Sequence, residues 1–227
     1  MSQKVTFNTS DHVSIVANWT TATTTLGAVI LVHMYPATKE SWALFQDVLA
    51  KRGLASLAID LRGHGESIRT TTGQMLDYRK FTDAENVSSM EDLRAAYAWI
   101  IARGIERDQI AVCGASIGAN LALRFLAEEP QVPAALLLSP GLSYHGIDVE
   151  GITEEVNPHQ AVYQVVSRED DDESVHAAEQ ISSWLAVDVK ETKRLKNAGH
   201  GTRMIEGDAA LMGDLANWLR DRLQSVT

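Results

Sequence analysis

Cysteine is nearly absent from the sequence, which holds Cys113 and no other among its 227 residues. A single cysteine cannot form an internal disulfide, so the chain suits a reducing compartment. Because Cys113 lies within an apolar run, its expected role is that of a buried packing thiol rather than a nucleophile. The histidines show neither H-x-x-x-H nor H-E-x-x-H spacing, and we therefore expect no metal site.

Positive charge is also scarce, with 20 lysines and arginines against 30 aspartates and glutamates and a formal net charge of −10. No basic stripe runs along the chain, which disfavours nucleic acids and anionic membranes as partners. Apolar runs stay below the roughly 20 residues that a membrane helix needs. Residues 1–10 are polar and lack the apolar core of a signal peptide. We expect a cytoplasmic protein that binds neither nucleic acid nor membrane.

Hydrophobic residues make up 45% of the chain, enough at this length for one α/β domain that spans residues 1–227. Strand-like runs alternate with helical patterns, which predicts a mainly parallel sheet with helices on both faces. No G-x-G-x-x-G follows the first strands, so a dinucleotide-binding fold is disfavoured. The predicted strands cover residues 4–7, 13–19, 28–32, 54–59, 109–113, 134–138 and 161–166, with a last strand within 187–195. Residues 117–128 and 204–223 are predicted as helices, and 142–158 as loop with at most a short helix.

The pattern G-x-S-x-G at residues 114–118 joins a buried strand to a helix. This nucleophile-elbow arrangement strains the backbone of the central Ser116 and lifts its hydroxyl clear of the sheet edge. Gly114 and Gly118 let the strand and the helix approach closely, and the amide of Ile117 is then free to stabilise an oxyanion. The pattern fits equally an ordinary turn whose serine caps the helix, so its meaning depends on the rest of the chain.

Two later loops carry the residue types that would activate this serine. Serine acyl transfer needs an imidazole to take the hydroxyl proton and a carboxylate to orient the imidazole. The acidic run 169–173 follows one predicted strand, and His200, between two glycines, follows the last. The acidic run also fits a solvated first turn of a helix, and His200 a surface glycine turn. The order serine, acid, histidine is that of the α/β-hydrolases.

Several segments together resemble the α/β-hydrolase superfamily, in particular small bacterial-type esterases and dienelactone-hydrolase-like serine hydrolases. The resemblance extends from Gly27 to the last helix. It rests on H-x-x-P at 33–36, D-x-R-G-H-G-x-S at 60–67, the elbow, and the loops of the acid and the histidine. It implies the α/β-hydrolase fold, a mainly parallel central sheet with helices on both faces and a minimal cap or none.

The resemblance implies a catalytic triad of Ser116, Asp170 and His200. Asp170 is chosen because the stretch from Ser167 matches the family's small-x-x-Asp turn after the penultimate strand, and Asp171 is the alternative. In this interpretation His200 takes the proton of Ser116, and the acid holds the imidazolium ion.

The resemblance also implies an oxyanion hole made of the backbone amides of Tyr35 and Ile117. Tyr35 is chosen by matching residues 33–36 to the family's H-G-x-P loop. Met34 stands where glycine is usual, and it would be strained if the loop required a positive φ there. His33 and His64 are expected to be structural.

The expected function is cofactor-independent hydrolysis of a carboxylic ester through an acyl-enzyme intermediate. Only residues 141–160 separate two strands where many lipases insert a helical lid, so we expect an open cleft for small or short-chain acyl groups. Leu142, Tyr144 and His145 on that segment are candidates to line the pocket, with an exposed loop as the alternative. Thioester, lactone, dienelactone or peptide cleavage would use the same machinery, and a non-catalytic binding protein the same scaffold. A small-molecule ester is the expected partner, and the chain is expected to be a monomer or homodimer.

Overall fold

A computed structural model describes residues 2–169 and 171–224. Its strands are β1 (Ser2–Asn8), β2 (Val13–Thr20), β3 (Gly27–Val32), β4 (Leu54–Ile59), β5 (Arg69–Thr70), β6 (Ile110–Ala115), β7 (Ala134–Leu138), β8 (Ser143–Tyr144), β9 (Ile147–Asp148), β10 (Ala161–Arg168) and β11 (Val189–Lys196). Its α-helices are α1 (Ala43–Ala50), α2 (Asp83–Val87), α3 (Met90–Ile101), α4 (Ile117–Glu128), α5 (Asp172–Trp184), α6 (Arg203–Glu206) and α7 (Ala209–Gln224).

The central sheet has the strand order β1-β2-β4-β3-β6-β7-β10-β11, and the short β5 pairs with β2. β1 and β2 form an antiparallel hairpin, as the sequence predicts, and β2 also pairs antiparallel with β4. Every ladder from β4 to β11 is parallel. The chain therefore has the mainly parallel sheet of the expected fold class.

The middle strands are buried on both faces of the sheet. Every residue of β3, β4, β6 and β7 is buried, as expected of apolar runs with helices above and below. Successive side chains enter opposite layers: Ile30 packs in one core with residues of α3, α4 and α5, and Leu31 in the other with residues of α1 and α7. This arrangement confirms the prediction of helices on both faces.

Element boundaries agree best with the sequence where a segment is fully buried. β4, β7 and α4 begin and end at the predicted residues. The single C-terminal helix predicted over 204–223 is wrong, because Gly207 ends α6 and the Asp208 carboxylate accepts the Leu211 N–H at 2.8 Å to start α7. Residues 142–158 also hold more structure than predicted, namely the β8–β9 hairpin and a 3-10 turn at Ile152–Glu155.

The parallel strands point in one direction, so the loops after β3, β6, β7, β10 and β11 meet at the carboxyl edge of the sheet. In open α/β sheets this edge is the usual place for a binding site. Ser116, His200, Tyr35 and Ile117, the predicted catalytic and oxyanion residues that the structure describes, belong to these loops or to the helix starts that follow them. Of the helices in residues 2–169 and 171–224, none has the length and apolar character needed to cross a bilayer.

Candidate active site

Ser116 occupies a sharp turn between β6 and α4. Its φ of +53° and ψ of −120° are rare for a residue with a side chain. Both flanking glycines are required, because a Cβ at Gly114 would lie 1.9 Å from the carbonyl oxygen of Gly118, and one at Gly118 would lie 2.4 Å from that of Val32. The Ser116 N–H donates to the Leu138 carbonyl at 2.8 Å, which ties the turn to β7. This is the geometry of a nucleophile elbow.

His200 lies on the loop after β11 and pairs with an aspartate. Its Nδ1 atom is 2.8 Å from Oδ2 of Asp171, whose side chain is 9% exposed. Asp170, the acid chosen from the sequence, lies outside the described residues, and the carboxylate on the ring is that of the alternative, Asp171. The chain turns abruptly after β10, with φ at +74° for Glu169, and a small-x-x-Asp pattern does not determine which carboxylate then turns inward. Among the described residues, the alternative Asp171 is therefore the candidate acid.

The surroundings of Asp171 favour its ionised form. Burial alone would raise the pKa of this carboxyl group, but contacts with the His200 ring and the Ser139 and Ser174 hydroxyls outweigh burial and lower it. A carboxylate on Nδ1 holds the ring proton on that nitrogen, which leaves Nε2 of His200 unprotonated and able to act as a base.

The loops of Ser116 and His200 are in contact at the carboxyl edge. A Cβ at Gly201 would lie 3.4 Å from the Cβ of Ala115, so the immediate neighbours of the two candidates pack together. Within the described part of the chain, no hydrogen bond joins the Ser116 hydroxyl to the His200 ring. Nucleophile and base often reach hydrogen-bonding distance only once a substrate is bound.

Tyr144 reaches Ser116 from the β8–β9 hairpin. The hairpin turn consists of His145 and Gly146, with φ values of +50° and +78°, as a two-residue type I′ turn requires. The Tyr144 ring lies over Gly141, where a Cβ would come within 2.6 Å of it, and the phenol approaches the Ser116 hydroxyl. Of the predicted pocket-lining residues, Tyr144 therefore meets the nucleophile. The His-Gly dipeptide is the sequence feature from which this hairpin could have been found.

The loop after β3 carries the second predicted oxyanion donor, the N–H of Tyr35. The buried His33 fixes this loop, because its Nε2 accepts the Leu61 N–H at 3.0 Å and its Nδ1 lies 2.9 Å from the Met34 carbonyl oxygen. Since Nε2 accepts, the proton sits on Nδ1 and is donated to that carbonyl. In a trans peptide C=O and N–H point in opposite directions, so holding the Met34 carbonyl also sets the direction of the Tyr35 N–H.

Met34 itself adopts an unstrained backbone. Among the described residues, six non-glycine residues have a positive φ, and Met34 is not one of them. The strain expected if the loop needed a positive φ at this position therefore does not arise. Burial lowers the pKa of the neighbouring His33 to about 4, so the neutral tautomer that holds the loop persists at neutral pH.

The side chain of Tyr35 belongs to a group of rings beside the loop after β3. Its ring centroid is 4.4 Å from that of His64, 5.0 Å from Tyr78 and 5.3 Å from His145. His64 stacks on Tyr78 at 3.7 Å and is 2% exposed. Its Nδ1 faces the Arg62 carbonyl at 3.1 Å, so the D-x-R-G-H-G-x-S stretch forms a packed turn.

Cys113 does not compete with Ser116 as a nucleophile. It is fully buried on β6, and burial raises the pKa of its thiol well above the usual value, so the reactive thiolate is suppressed. In the part of the chain that the structure describes, no group of three histidine, cysteine or acidic side chains is arranged to hold a metal ion.

Comparisons with known proteins agree with this fold. The family model Hydrolase_4, described as serine aminopeptidase S33, matches residues 23–203. The Pyrococcus furiosus esterase Pf2001 has a TM-score of 0.77 at 19% identity, over 98% of this chain and 91% of that one. The α/β hydrolase GrgF from Penicillium sp. sh18 has a TM-score of 0.77 at 16% identity, over 99% of each chain. The esterase domain of a Rhodothermus marinus protein has a TM-score of 0.73 at 15% identity, over 98% of this chain and 99% of that one. No curated protein matches the sequence.

Proposed function

The chain belongs to the α/β-hydrolase family described as serine aminopeptidase S33, and we propose that it cleaves carboxylic esters through a triad of Ser116, His200 and Asp171. One observation carries the proposal. The Asp171 carboxylate, whose side chain is 9% exposed, lies 2.8 Å from Nδ1 of His200, and the loop of His200 packs against the strained elbow of Ser116. Backbone strain of this kind persists where surrounding structure enforces it, and it clusters at catalytic sites.

In the proposed mechanism, Nε2 of His200 takes the proton of the Ser116 hydroxyl as Oγ attacks the ester carbonyl. Asp171 stabilises the imidazolium ion that forms. The protonated ring then gives its proton to the departing alcohol, and an acyl-enzyme remains on Ser116. Water enters by the same route, with His200 again as the base, and releases the carboxylic acid.

We assign the stabilisation of the negative charge on the carbonyl oxygen to two backbone N–H groups. Ile117 is the first residue of α4, where a helix leaves its N–H groups without internal partners and the helix dipole favours negative charge. The second donor is the N–H of Tyr35, oriented through the His33 contact to the Met34 carbonyl. Removing one such donor typically costs on the order of 100- to 1,000-fold in turnover.

We propose small or short-chain acyl groups as substrates. Between β7 and β10 the chain builds only the β8–β9 hairpin and one 3-10 turn, so no helical lid rises over the site from this segment. The Tyr144 phenol beside Ser116 further limits the room next to the nucleophile. Strong activity on long-chain emulsified lipids would contradict this assignment. Thioesters, lactones, dienelactones and peptides remain alternative substrates for the same residues.

The proposal is tested with a fluorescent fluorophosphonate, which reacts with an activated serine whatever the true substrate is. We expect labelling of the wild-type protein and none of Ser116→Ala. Ser183→Ala is the matched control, because Ser183 is exposed on α5 and its loss leaves the site intact. A wild-type protein that resists the probe, or a Ser116→Ala variant that still reacts, would favour a binding protein on the hydrolase scaffold.

A substrate panel then separates the chemistries. Purified protein is assayed with p-nitrophenyl esters of increasing acyl length, a thioester, a lactone and an aminoacyl p-nitroanilide. We expect the highest kcat/KM on the shortest esters. Turnover of the anilide above that of every ester would instead assign peptide cleavage to the site.

A further inference from the structure

Asn120 lies inside α4, is fully buried, and plays no part in the mechanism above. Its own N–H donates to the Ser116 carbonyl at 3.2 Å, so it stands one helical turn beyond the nucleophile. Its side-chain Oδ1 accepts the N–H of Gly141 at 3.0 Å, and its Nδ2 donates to the Ile147 carbonyl at 3.0 Å. Only this orientation of the amide can serve an N–H and a carbonyl together. One side chain of the nucleophile's helix therefore holds two points of another segment.

These two points lie at the base of the β8–β9 hairpin. Gly141 precedes β8 and Ile147 begins β9, so Asn120 binds the segment on both sides of the turn. Arg124, one turn further along α4, donates to the Asp148 carbonyl at 3.1 Å and adds a contact to β9. A buried N–H or carbonyl without a partner is costly, so the hairpin is most stable where the Asn120 amide supplies both partners.

The tip of the hairpin reaches the loop after β3. The ring centroid of His145 is 5.3 Å from that of Tyr35, and a Cβ at Gly146 would lie 2.6 Å from the Cβ of Asp83 on α2. In the sheet, β6 lies between β3 and β7, and the hairpin belongs to the segment that follows β7. A hairpin that is tied to α4 at its base and to Tyr35 at its tip therefore crosses the carboxyl end of β6, where Ser116 lies.

We propose that Asn120 is a positioning residue that fixes the β8–β9 hairpin as a rigid wall of the acyl site and thereby sets the length of acyl group that Ser116 accepts. The inference rests on the proposed function. A wall discriminates against additional methylene groups only while it does not yield to them. Without the Asn120 amide, the base of the hairpin is free to move outward and a longer acyl chain fits.

The test uses Asn120→Ala, with Arg124→Met as a milder second variant should the first not fold. Arg124→Met keeps an apolar stem of similar length and loses the bond to β9. Gln160→Ala is the matched control. Gln160 is also buried, and its amide donates to the carbonyls of Leu126 and Val132 at 2.8 Å, beyond the end of α4 that is remote from Ser116.

Three quantities are measured for each protein. They are kcat/KM for p-nitrophenyl octanoate divided by that for p-nitrophenyl acetate, fluorophosphonate labelling of Ser116, and deuterium exchange of the backbone amides of residues 142–149. In Asn120→Ala we expect the kcat/KM ratio to rise about 10-fold, exchange in the hairpin to become faster, and labelling to persist. Arg124→Met should change the ratio and the exchange in the same directions by less. Gln160→Ala should lower the melting temperature and leave the ratio unchanged, because destabilisation alone reduces both activities by one factor.

Three results would overturn the inference. The first is a wild-type ratio in Asn120→Ala, or in Arg124→Met if Asn120→Ala does not fold. The second is a rise in Gln160→Ala equal to that in Asn120→Ala, which would show that loosening α4 anywhere is sufficient. The third is loss of labelling in a folded Asn120→Ala, which would place its effect on Ser116 itself. A wild-type protein that is never labelled would instead overturn the proposed function.

Discussion

The sulfur atom of Met34 lies where a side chain on Gly201 would begin, because a Cβ built on Gly201 would be 2.5 Å from Sδ. Met34 lies on the loop after β3 and is 8% exposed, and Gly201 follows His200 with a φ of +59°. The contact joins the loop that carries the proposed oxyanion donor, Tyr35, to the loop that carries the proposed base, His200. A side chain at position 201 must therefore displace one of them.

Gly201→Ala should lower kcat/KM by about 100-fold, the scale of a misplacement of about 1 Å at a catalytic group. Met34→Ala in the same chain should restore part of the loss by making room, but not all, because alanine at a positive φ stays strained. Kinetics on a short ester provide the measurement. Gly207→Ala is the matched control, since its φ is −105° and nothing lies within 4 Å of the added Cβ. Full activity in Gly201→Ala, or no recovery with Met34→Ala, would contradict the coupling of the two loops.

Asp171→Asn should reduce kcat by about 1,000- to 10,000-fold, because an amide on Nδ1 no longer stabilises the imidazolium ion or selects the tautomer. The melting temperature should change little by comparison. Asp170→Asn, which makes the same chemical change one residue earlier, is the control and should keep most of the activity. The reverse outcome, with activity lost in Asp170→Asn and kept in Asp171→Asn, would restore the acid chosen from the sequence.

The bounds of several of the buried strands and helices could be predicted from the sequence. β4, β7 and α4 are apolar on both sides, so their runs begin and end at the predicted residues. The elbow could be located because Gly114 and Gly118 have no sterically allowed replacement in the turn. Chain order alone then placed His200 at the same edge of the sheet as Ser116.

Local choices among similar side chains could not be predicted. Asp170 and Asp171 are the same residue type at consecutive positions after an irregular turn, and no periodicity in the sequence indicates which of the two faces His200. The β8–β9 hairpin has strands of two residues, too short for an alternating pattern. The break between α6 and α7 depends on the Asp208 cap, inside a stretch whose apolar spacing continues across it.

Tyr144→Ala should change the acyl-length preference. The Tyr144 ring fills the space over Gly141 and beside Ser116, so its removal opens room for a longer acyl chain. We expect the kcat/KM for p-nitrophenyl octanoate, divided by that for p-nitrophenyl acetate, to rise about 10-fold. This is the discrimination that additional methylene groups typically give when an apolar pocket can accommodate them. Tyr144→Phe keeps the ring and should leave the ratio unchanged. Tyr163→Ala, which removes a tyrosine stacked on Trp218 of α7, controls for general destabilisation. An unchanged ratio in Tyr144→Ala would show that the ring does not bound the acyl site.

His33 and His64 should make the protein less stable as the pH falls below neutrality. Burial lowers the pKa of His33 to about 4 and that of His64 to about 3, from an ordinary value of 6.5. Between 6.5 and those values the unfolded chain binds protons that the folded chain does not, so the free energy of unfolding decreases as the pH falls. Each histidine contributes at most about 1.4 kcal/mol per pH unit in this range, and nothing above it.

His64→Phe isolates one of the two contributions. Phenylalanine keeps the stack on Tyr78 but cannot take up a proton, and His33 is left in place to hold the loop after β3. Urea unfolding followed by tryptophan fluorescence at pH 8, 7, 6 and 5 gives the pH dependence of each protein. The loss of stability between pH 6.5 and 5 should be shallower in the variant by about 1 kcal/mol per pH unit, whatever its stability at pH 8. Because the wild type and the variant share every other titrating group, parallel curves for the two would mean that His64 is protonated equally in the folded and unfolded chains.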